Sequence, residues 1–258
     1  VVIPIDAVRE AMKAKPLVSW HGWHADAPRP AVAPFDAGQA KKHQEEWAAY
    51  LKVPVEYENS IGMKFRLIPP GEFTLGTPPD ERKEWLLSGR LPAWVGLQEP
   101  QYPVVLTRPF RLSTTEITLG QFRKFAAATG YRTDAEKVAG NNCYAPGYAA
   151  ADDLPVTCIS WNDATAFCAW LNKLEATADA ADAAAPARGV YRLPTEAEWE
   201  FACRAGTTTV YSFGDSATKA GDADKIASIL NEYGWHTGNA AADTAAKAAA
   251  ATAAPSAV

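Results

Sequence analysis

The sequence feature that most constrains the fold is the stretch at residues 191–204, which reads YRLPTEAEWEFACR. Pro194 has a fixed φ angle and no amide hydrogen, so it belongs just before or at the start of a helix. Thr195 is followed three residues later by Glu198, the spacing of a capping box, in which each side chain accepts from the other residue's backbone amide. The apolar residues that follow recur at helical spacing: Trp199, Ala202 and Cys203. The stretch therefore predicts a core helix with a defined start.

Three more helices are predicted upstream, each by a similar start signal. The pairs with the spacing of an N-cap and its third helical residue are Asp36 with Gln39, Thr118 with Gln121, and Ser160 with Asp163. The first helix is expected to run from Asp36 to Leu51, and the second to end at Gly130, which suits a left-handed C-terminal cap. The third is expected to bury an apolar row made of Trp161, Ala164, Phe167, Cys168, Leu171 and Leu174.

Short strands are predicted between these helices. Residues 60–75 are expected to form a hairpin that turns at residues 69–71, the sequence Pro-Pro-Gly. Its first strand alternates apolar and charged positions, and the apolar ones are Met63, Phe65 and Leu67. Two short strands are expected within 104–114, around Pro109, and one within 207–213. Helices and short strands joined by irregular segments indicate an α+β domain rather than an array of repeats.

The overall composition argues against two classes of protein. The 258 residues carry a formal net charge of −5, whereas a general nucleic-acid-binding protein is expected to have a basic surface. No run of about 18 apolar residues is present, so no transmembrane segment is visible in the sequence. We therefore expect a soluble protein without nucleic-acid partners, either cytoplasmic or exported after removal of a leader.

The four cysteines do not have the spacing of a metal-binding motif. They are Cys143, Cys158, Cys168 and Cys203, with no CxxC pair among them. The last three lie in predicted helices or a strand-like run, where a free cysteine acts as a small buried apolar residue. A single disulfide in an oxidising compartment, with Cys143 as its loop member, is the alternative.

Several long segments of the sequence resemble the motifs of one known family. They are RLPTEAEWEFACRAG, LPVTCISWNDATAFCAWLN and TTEITLGQFRKFAAATGYRTDAE, and together with the 57–75 segment they occur in the family's order. The sequence resembles the formylglycine-generating enzyme, or sulfatase-modifying-factor, family over about residues 57–239. The resemblance implies an irregular α+β fold of the C-type-lectin-like kind, with short strands, capped helices and much loop.

The resemblance also bears on activity. The family's oxidases convert a substrate cysteine to formylglycine with molecular oxygen and copper, which two cysteines in the last third of the domain hold as soft thiolate ligands. This sequence has no cysteine after Cys203 and lacks the family's GNVWEW-like and RGGSW-like words. We therefore expect a non-catalytic module that acts as a protein-interaction or structural subunit of a larger protein or assembly. The alternative is a formylglycine-generating oxidase whose catalytic C-terminal part is absent from this sequence.

Calcium is the one cofactor that the resemblance implies for residues present here. Asn231, in the word ILNEY, matches the position of an asparagine that binds structural calcium in the family. Calcium takes six to eight oxygen ligands, so further ligands would be needed. A turn-capping asparagine is the alternative.

The sequence divides into four segments. Residues 1–35 are expected to form an extended N-terminal arm, 36–56 a leading helix and connector, 57–239 the family-like domain, and 240–258 an alanine-rich tail or linker. Four tryptophans lie where an extended arm or a long connection is expected: Trp20, Trp23, Trp85 and Trp94. Because tryptophan is enriched among interface hot spots, we expect them to contact a protein partner. The alternative is that these four side chains pack on the domain itself. The proline-rich arm at residues 1–35 would also suit docking along a partner.

Overall fold

The structure is a computed structural model that describes residues 26–78, 101–138, 140, 142–146, 151–181, 190–217, 219 and 228–234, with the backbone alone for 2–4 and 177–181. Its strands are β1 Val2–Pro4, β2 Ala31–Val32, β3 Glu56–Glu58, β4 Lys64–Ile68, β5 Gly71–Leu75, β6 Tyr102–Leu106 and β7 Phe110–Ser113. Its helices are α1 Ala37–Leu51, α2 Leu119–Thr129, α3 Trp161–Ala181, α4 Glu196–Arg204 and α5 Leu230–Tyr233, with a 3₁₀ turn at Ala135–Lys137. No helix in this described part has the length and apolar character needed to cross a bilayer.

The described strands form two small sheets. The first has the order β1-β7-β4-β3 with antiparallel neighbours, and the second has the order β2-β5-β6, with β2 parallel and β6 antiparallel to β5. The predicted hairpin at 60–75 is therefore wrong, because β4 and β5 belong to different sheets. Pro69 and Pro70 between them are buried and cannot donate to a strand ladder, so the chain crosses from one sheet to the other. The alternation of Met63, Phe65 and Leu67 is confirmed, since all three are buried.

The helix starts predicted from the sequence are confirmed in detail. Helices α1, α2 and α4 each begin with a complete capping box, formed by Asp36 with Gln39, Thr118 with Gln121, and Thr195 with Glu198. At the start of α3, the Ser160 amide donates to Asp163 Oδ2 at 2.7 Å and the Asp163 amide donates to Ser160 Oγ at 3.1 Å. Each pair satisfies two amides that a helix otherwise leaves without partners.

Replacing Thr195 by alanine should destabilise the protein by about 1 kcal/mol, the usual cost of losing an N-cap side chain. The hydroxyl of Thr195 accepts from the Glu198 amide at 3.2 Å, and alanine cannot. Chemical denaturation measures the loss. Thr208→Ala, at an exposed position outside the helices, is the control and should change the free energy of unfolding by less than about 0.5 kcal/mol. Equal losses for the two variants would contradict the capping role.

The main core cluster lies between β4, α2 and α3. Its largest fully buried side chains are those of Phe65, Phe122, Phe167, Leu171 and Tyr191. The rings of Phe122 and Phe167 stack at a centroid distance of 5.9 Å and so join α2 to α3. A second cluster places Trp47 and Leu51 of α1 against Leu67 of β4. The leading helix therefore packs directly on the domain.

Several positions predicted to be buried are exposed. Trp161 is 70% exposed at the first residue of α3, and Trp199 is 57% exposed on α4. Cys203 is also exposed, as is Cys158, which lies in the loop before α3 rather than in a strand. The helical period marks a face but not which face packs, and α4 carries apolar residues on more than one face. The prediction is confirmed for Cys168, which is buried.

The strand predicted at 207–213 is absent. These residues form turns, closed by an isolated bridge in which the Tyr211 amide donates to the Gly214 carbonyl at 2.9 Å. Thr209 uses its hydroxyl to donate to the Tyr211 carbonyl at 2.6 Å, a local bond that favours a turn over a strand. The two strands predicted within 104–114 are confirmed as β6 and β7.

Residues of the predicted N-terminal arm take part in both sheets. β1 pairs with β7 at one edge of the first sheet, and β2 pairs with β5 at one edge of the second. The Trp47 indole of α1 donates from Nε1 to the Arg29 carbonyl at 3.1 Å. The part of the arm that the structure describes thus lies along the domain.

Candidate functional site

The two faces of α4 differ in their surroundings. Phe201 is buried, and its ring packs on Phe73 of β5 at a centroid distance of 5.4 Å. Trp199 and Cys203, one turn apart, are both exposed. A tryptophan with more than half of its surface in solvent is unusual, because this residue is highly buried on average. The helix therefore presents an apolar side chain from a firmly packed support.

Arg204, at the end of α4, connects three separate segments. Its Nε donates to Glu200 Oε1 at 2.8 Å, its Nη2 to the Gly76 carbonyl at 3.3 Å, and its Nη1 to the Thr209 carbonyl at 3.2 Å. The side chains of Arg204 and Glu200 are only 20% and 18% exposed. Partial burial and several hydrogen bonds make this pair stronger than an ordinary surface ion pair.

Gly76 and Gln101 are held together beside this pair. The Gly76 amide donates to Glu200 Oε1 at 3.0 Å, and Gln101 Nε2 donates to the Gly76 carbonyl at 3.3 Å. We call Gly76, Gln101, Glu200 and Arg204 the clamp. Gly76 precedes the long connection at 79–100 and Gln101 follows it, so the clamp fixes both ends of this connection to α4.

The start of α4 is as firmly held as its end. Both Nη atoms of Arg192 donate to the carboxylate of Glu198, which also accepts from the Thr195 amide at 2.8 Å. Burial raises the pKa of Glu198, but the hydrogen bonds from Arg192 and Thr195 outweigh burial and leave this pKa below its usual value. The carboxylate therefore stays ionised and keeps the first turn in place.

The strand-like segment before α4 is joined to α3. The Tyr191 amide donates to Asn172 Oδ1 at 2.6 Å, and Asn172 Nδ2 donates to the Tyr191 carbonyl at 3.0 Å. The Tyr191 ring is almost fully buried, and burial raises the pKa of its hydroxyl well above the usual range. α4 thus rests on a rigid scaffold, which is favourable for a binding surface.

Asn231 is exposed on the short helix α5. A stack of three rings lies beside this helix: Tyr211 on Phe213 at 5.0 Å, and Phe213 on Tyr233 at 4.3 Å. In the described part of the chain, no three or more His, Cys, Asp or Glu side chains are grouped in a way that suits a metal ion. The calcium role of Asn231 stays a prediction.

The thiols of the described residues do not fit a copper site. Cu(I) favours soft thiolate ligands, so a copper site needs cysteines that lie together and are open to the ion. Cys143 and Cys168 are instead buried among the apolar side chains of the main core cluster, where burial raises the pKa of both thiols. Cys158 and Cys203 are exposed at separate places, in the loop before α3 and on α4. We therefore derive no copper chemistry from these residues.

Of the predicted interaction residues, none lies within the described part of the chain: Trp20, Trp23, Trp85 and Trp94 are all outside it. The structure shows instead a surface that the sequence analysis missed, made of the clamp with Trp199 and Cys203, and we call it the α4 surface. Only the pair of Glu200 and Arg204 at i, i+4 gave a signal for it in the sequence. The partners Gly76 and Gln101 are too distant along the chain for any local pattern to indicate.

Comparison with known sequences places the chain in a family. Residues 53–256 match the family described as "Sulfatase-modifying factor enzyme 1-like domain". The chain therefore belongs to the sulfatase-modifying-factor family, and the assignment made from its sequence words is confirmed. The α+β fold of short strands and capped helices is confirmed with it.

The relatives include proteins named as active and as inactive. The chain is 30% identical over 190 residues to the formylglycine-generating enzyme of Streptomyces coelicolor, covering 60% of this chain and 51% of the relative. It is 28% identical over 201 residues to inactive C-alpha-formylglycine-generating enzyme 2 of Bos taurus, covering 62% and 56%. The structure of PvdO from Pseudomonas aeruginosa matches at a TM-score of 0.48 and 26% identity, over 67% of this chain and 57% of that one. The chain thus spans about half the length of the curated relatives it matches.

Proposed function

We propose that this chain is a non-catalytic member of the family and that it binds a protein partner through the α4 surface. The observation that carries the proposal is the 57% exposure of Trp199 on a helix fixed at both ends. Tryptophan is among the commonest hot-spot residues of protein interfaces, and a preorganised support lowers the entropy cost of binding.

The clamp supports the same proposal from a second direction. It brings both ends of the 79–100 connection to α4, and this connection contains Trp85 and Trp94. The described residues on either side of the segment that contains these predicted contact residues are therefore held at α4. Exposed Glu196, one turn before Trp199, adds a negative charge, so a partner with apolar and basic side chains would complement the surface.

The placement of the cysteines supports the non-catalytic part of the proposal. Two of the four cysteines of the sequence, Cys143 and Cys168, are buried in the main core cluster and act there as small apolar side chains. One relative of the chain is itself named an inactive formylglycine-generating enzyme.

Replacing Trp199 by serine should weaken partner binding strongly and leave the fold intact. An exposed side chain contributes little to stability, so the free energy of unfolding should change by less than about 1 kcal/mol. Loss of a tryptophan hot spot costs about 2 kcal/mol or more of binding free energy, which is roughly thirtyfold in affinity. The measurement is quantitative mass spectrometry of proteins co-purified with the tagged chain from its native host.

Trp161→Ser is the matched control, because Trp161 is also a largely exposed helical tryptophan but lies on α3. A specific partner should be retained by the Trp161→Ser variant and lost with Trp199→Ser. Equal retention in both variants, or equal loss, would contradict the role of the α4 surface.

The second candidate function is a formylglycine-generating oxidase with its catalytic part outside this sequence. The observation that favours it is the coverage of only 51% of the Streptomyces coelicolor enzyme. The intact mass of the native polypeptide distinguishes the two functions. A mass well above 27.7 kDa, with a cysteine pair in the added sequence, would support the oxidase; agreement with 27.7 kDa would support the binding module.

A further inference from the structure

The N-terminal segment and the leading helix dock onto the end of α4. Ala31 is fully buried, and the Phe35 amide donates to the Gly206 carbonyl at 3.1 Å. Gly206 comes two residues after Arg204, the last residue of α4. α1 begins two residues after Phe35, so this contact joins the leading helix to the same helix that carries the α4 surface. We call the contact of residues 31–35 and α1 with α4 the dock.

A small apolar cavity, partly open to solvent, lies at the dock. It has a volume of about 40 Å³ and is lined from three directions, by residues that include Phe35, His43 and Phe201. This is far below the several hundred Å³ of a typical ligand pocket. A buried water needs two to four polar partners, and an almost wholly apolar lining offers few. The cavity is therefore a gap in the packing of the dock rather than a ligand site, and we call the residues that line it the joint.

His43 is the one titratable group that lines this cavity. Its Nδ1 is buried and has no hydrogen-bond partner, and its ring meets the Phe35 ring edge-on at 5.5 Å. The charged groups that act on it are on its own helix: Glu46, which favours the charged form, and Lys42, which opposes it. The lining residues from β2 and the segment after it, from the β4–β5 junction and from α4 carry no titratable side chain.

We propose that the half-buried His43 makes the dock sensitive to protonation, so that mild acid loosens the contact of residues 31–35 and α1 with α4. A neutral imidazole fits the apolar joint at modest cost, whereas an imidazolium would carry a charge and a buried N–H donor with no acceptor. The loose packing around the ring offers little to hold the joint closed once the charge is present.

The direction of the pH dependence follows from the linkage between proton binding and stability. Burial, the largest cause, lowers the pKa of His43 in the folded protein below the 6.5 of an unperturbed histidine. The dock therefore has its full stability above pH 6.5 and loses it as the pH falls from 6.5 toward the lowered value. Below that value the loss levels off, because both the open and the closed forms are then protonated.

Native-state hydrogen exchange of the Phe35 amide tests this inference in the full chain. After correction for the intrinsic exchange rate, the opening constant of this amide should rise as the pH falls from 7.5 to 5.0, by at most about tenfold per pH unit. The Gly130 amide, which donates to Ala126 at the end of α2, is the internal control and should show no such rise.

Two variants assign the effect to His43 rather than to the other three histidines of the sequence. His43→Leu keeps the joint apolar, and His43→Gln keeps it polar and neutral; both should make the Phe35 opening constant independent of pH. If His43→Leu does not fold, His43→Gln carries the test. A flat wild-type profile, or a slope that persists in the variants, would overturn the inference. The inference does not depend on partner binding, so it stands or falls separately from the proposed function.

Discussion

Replacing Gly206 by alanine is expected to destabilise the dock strongly. Gly206 has a φ of +93°, a conformation that costs a non-glycine residue about 1–3 kcal/mol. A β-carbon at this position would also overlap the ring of Phe35. Overpacking of this kind costs about 1–3 kcal/mol, so the total loss should be about 2–6 kcal/mol.

Gly130→Ala separates the two contributions. Gly130 has a φ of +67°, but a β-carbon there would have no neighbour within 4 Å. This variant should lose only the backbone cost of about 1–2 kcal/mol. Urea denaturation of both variants gives the comparison, and Gly206→Ala should exceed Gly130→Ala by at least about 1 kcal/mol. Equal losses would mean that Phe35 does not pack on the end of α4.

Replacing Arg204 by alanine should disconnect the clamp. The change removes three donated hydrogen bonds and leaves the largely buried carboxylate of Glu200 without its charged partner. Losing hydrogen bonds to a charged group and breaking a partly buried ion pair should together lower the free energy of unfolding by about 2–4 kcal/mol. Gly76 would keep its amide bond to Glu200, but the end of the 79–100 connection would be less constrained.

Arg123→Ala is the matched control for charge removal. Arg123 pairs with Asp152 at 3.1 Å, but the two side chains are 48% and 73% exposed, so the loss should be about 1 kcal/mol or less. Limited proteolysis under native conditions adds a local measurement. Cleavage within 79–100 should accelerate in Arg204→Ala and not in Arg123→Ala. An unchanged cleavage rate in Arg204→Ala would mean that the clamp does not restrain the connection.

The features predicted correctly from the sequence depend on neighbouring residues. A capping box is completed within four positions, as in Thr195 with Glu198, so the sequence contains both partners side by side. The alternation of buried residues in β4 is local for the same reason. The prediction of a 60–75 hairpin was wrong because strand pairing is a long-range choice, and β4 pairs with β3 and β7 instead.

The candidate site could not be predicted for two physical reasons. The amphipathic pattern of α4 does not indicate which of its apolar faces is buried. The face with Phe201 is buried because the Phe201 ring packs on Phe73 of β5. The clamp joins Gly76 to Arg204, two residues separated by 128 positions. A contact of this separation is fixed by the packing of α4 on the second sheet and leaves no periodic signal in the sequence.

Site-specific photo-crosslinking from α4 tests the central claim most directly. A photoreactive phenylalanine derivative in place of Glu196, which is exposed one turn from Trp199, should yield an adduct with a second polypeptide in the native host. The same probe in place of Ala127, exposed on α2, should not, and the adduct should disappear when Trp199→Ser is added. Adducts confined to the chain's own polypeptide, or an adduct that persists without Trp199, would contradict a protein-binding role and favour an α4 face covered by the chain itself.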